Sequence, residues 1–329
     1  MAPASAVIGA LSPETLDACL AAAVAAPSVH NTQPWRFRVP GPEIEVLADD
    51  RRRLRVLDPA GRLLAISVGA AALNLRVAMR ARGRLPVQRI LPDRARPDAL
   101  VAVLPGPFAP PGASVLGLAA AIGRRHTSRL PLETGAIPWR VQQDLLAAAA
   151  AEGARLTVCD PVTRDGLLAL TRAAEETLRR DPVYRNEIAA WTGGPPSRAD
   201  GVPAAAFAPE DSGHRLALRD FRLGHPELGR RMTARFERFP ALMVLSTAGD
   251  TPYDWVRAGQ ALQRVLLTAT VHGLVVTPMN QALDVPALRH LAGGDGDRRY
   301  AQVILRAGYG RPGPATPRRG LDEVLVSSA

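Results

Sequence analysis

Two stretches of this chain echo one another, and the echo narrows what it can fold into. Gly69–Gly83 and Gly259–Gly273 have the same length, start on small residues and end as helices stopped by glycine. Glycine just past a last helical turn is a common stop because it accepts left-handed backbone. The first stretch belongs to a long, very apolar helical pattern from Pro59 to Gly83. Pro34-Trp35-Arg36 also recurs as Pro138-Trp139-Arg140. A duplicated fold would produce both repeats, and so would coincidence in a chain rich in alanine and arginine. The length of 329 residues suits about two domains, enough to bury a full core without staples.

The two cysteines, Cys19 and Cys159, are too few for a disulfide scaffold or a four-thiolate metal site. All 41 basic residues are arginine, which excludes Schiff-base, pyridoxal-anchoring or P-loop chemistry from a lysine. The formal charge is +10, yet aromatic residues are only 4% and the arginine clusters are isolated, so no nucleic-acid partner is expected. The start, MAPASAVIGALSPETLD, has no basic region and no clean apolar core of a leader. The uncharged stretch from Ala99 to Gly123 is broken by four prolines and reads as an exposed connector leading to a short helix, not a membrane span. Cytoplasm is the expected location, with no membrane partner.

Helical patterns run over 13–26, 59–83, 114–123, 138–152, 161–180 and 251–273. Strand patterns run over 35–39, 44–47, 87–91, 101–104, 155–159, 242–246 and 300–307. Between about 190 and 235 the pattern degrades, as in a functional lid or disorder.

Chemistry concentrates in three places. In Ala26–Phe37, APSVHNTQPWRF, four adjacent polar side chains sit between prolines, at a helix-to-strand loop. The Asn31 and Gln33 amides each offer a donor and an acceptor, which suits a planar heterocycle, and Trp35 would make an apolar floor. An ordinary capped turn over a core tryptophan is the alternative. Arg124–Arg129, RRHTSR, combines guanidinium forks with hydroxyls, as a phosphate site would, or is a solvated basic turn. Thr316–Arg319 is a basic tail, ordinarily exposed. Gly308–Gly313 fits G-x-G-x-x-G, but Pro312 and Pro314 oppose a following helix, so it is a poor dinucleotide site. The six histidines show no metal-ligand spacing.

The P-S-x-x-N-x-Q-P-W-x-F run in Ala26–Phe37 resembles the nitroreductase superfamily of FMN-dependent oxidoreductases. Its His-Asn-Thr-Gln-Pro-Trp spelling, the GRLLAISVGAAALNL and AGQALQRVLLTAT helices, RRHTSR, LRAGYG and TPRR together resemble the Acg-like branch, from about residue 14 to 325. The resemblance implies an α+β nitroreductase-like fold: two related halves fused as a pseudo-dimer, antiparallel-rich sheets flanked by helices, and a lid. The halves would be 1–113 and 114–329, the lid about 190–235.

The resemblance also implies FMN-binding residues. Ser28 and Asn31 would meet the flavin ring, Asn31 at its pyrimidine edge, with Gln33 in the same loop. Arg125 and Thr127 would bind the phosphate, joined by Arg318 and Arg319. Arg129 would lie near N1 and O2. Pro278, Met279 and Asn280 would form the loop after the long helix whose backbone faces N5. Ordinary members place the R-R-S motif before P-S-x-x-N; here it comes after. No catalytic side chain is implied, because flavin N5 carries the chemistry. The expected activity is ping-pong hydride transfer from NAD(P)H or another donor to a quinone, nitroaromatic or other small planar acceptor, by a monomeric pseudo-dimer or a homodimer. The alternatives are a non-catalytic protein that sequesters FMN under the lid, or a biosynthetic flavin dehydrogenase.

Overall fold

The computed structural model describes residues 10–195, 197–223, 225, 228–229, 232–293 and 299–327. Residues 1–9, and residues 196, 224, 226, 227, 230 and 231 of the expected lid, lie outside the described residues.

Ser12 caps α1 (Pro13–Val24), its hydroxyl accepting from the Thr15 amide. The loop 25–34 leads to β1 (Trp35–Arg38) and β2 (Ile44–Ala48), joined through Gly41 at φ 90°. Then follow α2 (Arg62–Ala81), β3 (Arg84–Ile90) and β4 (Ala99–Phe108). These strands form an antiparallel sheet in the order β1-β2-β4-β3. After α3 (Ala113–Ile122) come α4 (Trp139–Ala151), β5 (Arg155–Val158), α5 (Pro161–Arg180) and α6 (Pro182–Ala190). A short parallel pair, β6 (Glu210–Asp211) and β7 (Thr233–Ala234), interrupts the second half. Next are β8 (Ala241–Thr247), α7 (Pro252–Val271), β9 (Leu274–Pro278), α8 (Gln281–Asp284), α9 (Pro286–Arg289), β10 (Tyr300–Tyr309) and α10 (Leu321–Val324). The second sheet is antiparallel in the order β5-β8-β10-β9. Taken by rank along the chain, its strands have the order of the first sheet.

The two echoing helices, α2 and α7, pack on each other at the centre. Both cross at glycine. A Cβ on Gly69 would lie 2.1 Å from the Val256 carbonyl, and one on Gly259 would lie 1.9 Å from that of Ile66. The contact is reciprocal: each glycine meets the carbonyl three residues before the other. Gly83 and Gly273, at φ 75° and 73°, end the two segments.

Several expectations change. The exposed proline-rich connector is instead β4 over 99–108, its first residues buried. Proline fits because β2 pairs with β4 only as far as Val103, so Pro105 and Pro107 need no second ladder partner. Strand β9 and helix α6 had no expectation. The C-terminal tail is not loose: the Val326 amide donates to the Phe37 carbonyl, and Val324 is buried in the first-half core. Helix α2 alone is long and apolar enough to cross a bilayer among the described residues, and nearly all of it is buried within the protein.

Candidate functional site

The polar loop after α1 is strained. His30, Asn31 and Gln33 adopt φ of 45°, 54° and 48°. Left-handed backbone at three non-glycine residues within four positions costs free energy that the surroundings must outweigh. Part of the restraint is visible. The Ser28 hydroxyl accepts from the Gln33 amide at 2.9 Å, and the Val29 amide donates to the Ser67 hydroxyl on α2 at 3.2 Å.

The motif amides fasten the chain to itself. Asn31 Nδ2 donates to the carbonyls of Gly201 and Pro317 at 3.0 and 3.1 Å, and Oδ1 accepts from Arg318 at 3.0 Å. Gln33 Nε2 donates to the Ala199 carbonyl, and Oε1 accepts from the Arg319 amide, both at 2.9 Å. One loop thus holds the 190–235 segment and the C-terminal tail together. Asp200 adds to the clasp by pairing with Arg52 and Arg198, whose guanidinium groups lie 5.2 and 5.3 Å from the Trp191 ring.

Beside this clasp lies a cavity. Ser28 and His30 line it from the loop, Ile66 and Ser67 from α2, Leu262 and Leu266 from α7. Thr127 and Arg129 come from the central basic motif, Pro278 from the end of β9, and Asn280 and Asp284 from the segment after it. Leu218, Arg219 and Phe221 close it from the 190–235 segment. Arg129 also donates to the Ala206 carbonyl at 3.0 Å and lies 4.8 Å from the Phe221 ring centre.

Positive charge is buried here without compensation. Arg125 is 6% exposed, and its guanidinium has no acceptor among the described residues. Burial, aided by Arg318, draws its pKa down to about 9. Burial also draws Arg318 down to about 10, and burial with Arg219 does the same to Arg129. Arg318 meets only neutral acceptors, on Asn31, Thr316, Pro317 and Ala25. Guanidinium groups remain charged at neutral pH, so this set calls for an anion. Arg219 differs: burial opposes its charge, but Tyr184, Asp284 and Glu175 outweigh burial and raise its pKa. Its Nη1 donates to the Tyr184 hydroxyl at 2.7 Å and its Nη2 pairs with Asp284.

The structure thus brings Ser28, Thr127, Arg129, Pro278 and Asn280 to one cavity, while Asn31, Gln33, Arg125, Arg318 and Arg319 are not among the residues that line it. Met279 does not face the cavity; it is buried with Leu283 and Ile304. Pro278 is the last residue of β9, and Met279 and Asn280 follow it, so β9 stands between these two and the long helix. Arg319 separates from Arg318 and turns to the Glu323 carbonyl at 2.6 Å. Trp35 is no floor of the cavity, being buried in the first-half core. Glycines of the G-x-G-x-x-G run serve packing: a Cβ on Gly313 would lie 2.0 Å from the Thr127 carbonyl, so the tail can press against the basic motif.

No protein-family model matches the chain. A Mycobacterium tuberculosis H37Rv protein, provisionally named an NAD(P)H nitroreductase, is 33% identical over 323 residues, covering 95% of this chain and 91% of its own. This chain belongs to the nitroreductase family. Within the nitroreductases it falls in the Acg-like branch: M. tuberculosis Acg, also provisionally named an NAD(P)H nitroreductase, is 29% identical over 313 residues, 91% of this chain and 92% of its own. The solved FMN-bound nitroreductase of Bacteroides fragilis overlays 62% of this chain and 93% of its own, at 16% identity and a TM-score of 0.36.

Sequence reasoning had not placed four wall residues of this nitroreductase. His30 lay inside the motif, but nothing in its neighbours marked it as orphaned. Arg219, Phe221 and Asp284 left no local signal, because they meet the site from segments far along the chain.

Proposed function

We propose that this nitroreductase is an FMN-dependent oxidoreductase that reduces small planar acceptors, quinones or nitroaromatics, with NAD(P)H as donor. The observation that carries the reading is the group of buried arginines, Arg125, Arg129 and Arg318, with no carboxylate partner among the described residues and a cavity alongside. A phosphorylated planar ring fits this donor set. Two guanidinium groups and a hydroxyl suit the phosphate, and an apolar wall with a third cation suits the ring.

In this reading Arg125, Arg318 and Thr127 hold the phosphate, with Arg319 supporting the tail through Gln33. Arg129 holds positive charge beside the edge of the ring where electron density gathers on reduction. Ser28, Pro278 and Asn280 shape the wall, and the chain at Met279 fixes the position of its two neighbours. Asn31, expected at the ring edge, has its own amide bonded within the chain and in this reading orients the loop and the phosphate ligand Arg318. FMN, when bound, supplies hydride and electron transfer. The two halves, 1–113 and 114–329, descend in this reading from one duplicated unit, which the shared strand order and the reciprocal glycine crossing support.

Closure by Leu218, Arg219 and Phe221, pinned through Arg129 and Ala206, favours a second reading: a protein that holds FMN and admits no donor. Anaerobic titration separates the two. Oxidised flavin absorbance should bleach with NADPH or NADH. Bleaching with dithionite alone would support the second reading, and protein that binds no added FMN would end both.

A further inference from the structure

His30 combines two costs at one position. Its ring is only 8% exposed, and neither Nδ1 nor Nε2 has a hydrogen-bond partner among the described residues. A buried polar group in that condition is unfavourable until something pairs with it. Its backbone is left-handed, at φ 45°, a conformation that non-glycine residues keep only where the surroundings impose it. The loop thus holds an unpaired imidazole against the cavity.

We propose that His30 is the specificity-determining residue of this site, donating a hydrogen bond to a carbonyl oxygen of a planar, quinone-type acceptor. This inference rests on the oxidoreductase reading. A neutral imidazole carries one N–H and one lone pair. Burial, then Arg219 and Arg129, hold the His30 pKa well below 6.5. The ring is therefore a neutral donor at physiological pH, not a store of protons. Phe221 stands edge-on to it, with ring centres 5.4 Å apart at 86°, and Ile66 and Leu262 add apolar wall, surroundings that suit a flat hydrocarbon ring. Arg129 and Arg219 add a positive field that favours an electron-rich oxygen and disfavours an ammonium group. Asp284, the carboxylate on the same wall, is taken by Arg219. A site built to bond an oxygen rejects the analogue without it, because its donor is then left unpaired.

The test uses flavin-loaded, oxidised protein and two probes of similar shape: acetophenone and cumene, which lacks the carbonyl. Acetophenone should bind about fivefold to tenfold more tightly, the worth of one hydrogen bond. In His30→Phe, reloaded with FMN, that preference should vanish. Should that variant fail to fold, 15N shifts of the His30 ring in the wild-type protein give the answer: acetophenone should move them and cumene should not. Equal binding of the probes, a preference that survives in His30→Phe, or unmoved ring shifts would each overturn the inference. Failure of the FMN reading would show separately, as protein that takes up no FMN.

Discussion

Arg125 is a buried cation beside a second buried cation, Arg318, and neither has a carboxylate within reach. Replacing Arg125 by methionine removes that repulsion and desolvation but also a phosphate ligand. The flavin-free Arg125→Met protein should therefore be more stable to urea by roughly 1 kcal/mol or more, while its flavin retention falls; equal flavin content would argue against the phosphate role. His30 predicts a pH effect of opposite origin. Its pKa is lower folded than unfolded, so its contribution is intact above about pH 6.5 and shrinks as pH falls towards the folded pKa. Unfolding free energy should drop by up to about 1.4 kcal/mol per pH unit below 6.5, ahead of carboxylate titration, and His30→Asn, which tolerates left-handed backbone, should flatten that slope. The polar motif was legible from the sequence because its composition between prolines is unusual. The role of each residue in it was not: Asn31 and Gln33 looked like ligands for a heterocycle, and they bond backbone at 199, 201, 317 and 319. Partners so far along the chain leave no trace in local spacing.

Among the elements, α2 and α7 depend on a glycine crossing that admits no side chain. Gly69→Ala or Gly259→Ala would force a Cβ into a carbonyl at about 2 Å, an overpacking that should cost about 1–3 kcal/mol in thermal or urea unfolding. Gly166 is the control. It lies in the interior of α5 with nothing within 4 Å of an added Cβ, so Gly166→Ala should stabilise by about 0.5–1 kcal/mol through helix propensity. If all three variants behaved alike, the close crossing would be refuted. The long helices were readable from apolar periodicity and stop glycines within a few residues. Of strand β4 only 101–104 was readable, because proline signals a break wherever it is read locally, whereas here the strand continues to Phe108 and outlasts its neighbour β2 at Val103. Strand β9, five residues directly after the glycine that stops α7, left too short a pattern to stand out.

At the scale of the whole molecule, the two sheets share a strand order, but among the described residues the place that matches the cavity is filled. The glycine pairing matches Ser67 of α2 with Arg257 of α7, and Leu266 of α7 with Arg76 of α2. Where the described cavity has a hydroxyl and an aliphatic chain, the matching place holds two arginines. Glu152 sits among them, bonded to Arg76 at 2.7 Å and Arg264 at 2.6 Å, while Arg257 donates to its carbonyl at 3.1 Å. Its side chain is 3% exposed, so Glu152→Ala would leave partly buried guanidinium groups unpaired and should destabilise by roughly 1–3 kcal/mol. The internal echo was visible in the sequence, but the filling of one site was not, since it depends on which residues meet across the α2–α7 crossing. Among the described residues the cavity beside the uncompensated arginines has its matching place filled, which predicts one cofactor per chain. Flavin-free protein titrated with FMN and followed by visible absorbance should saturate at one flavin per chain, and Arg125→Met should weaken that binding. Two flavins per chain, or none, would contradict it.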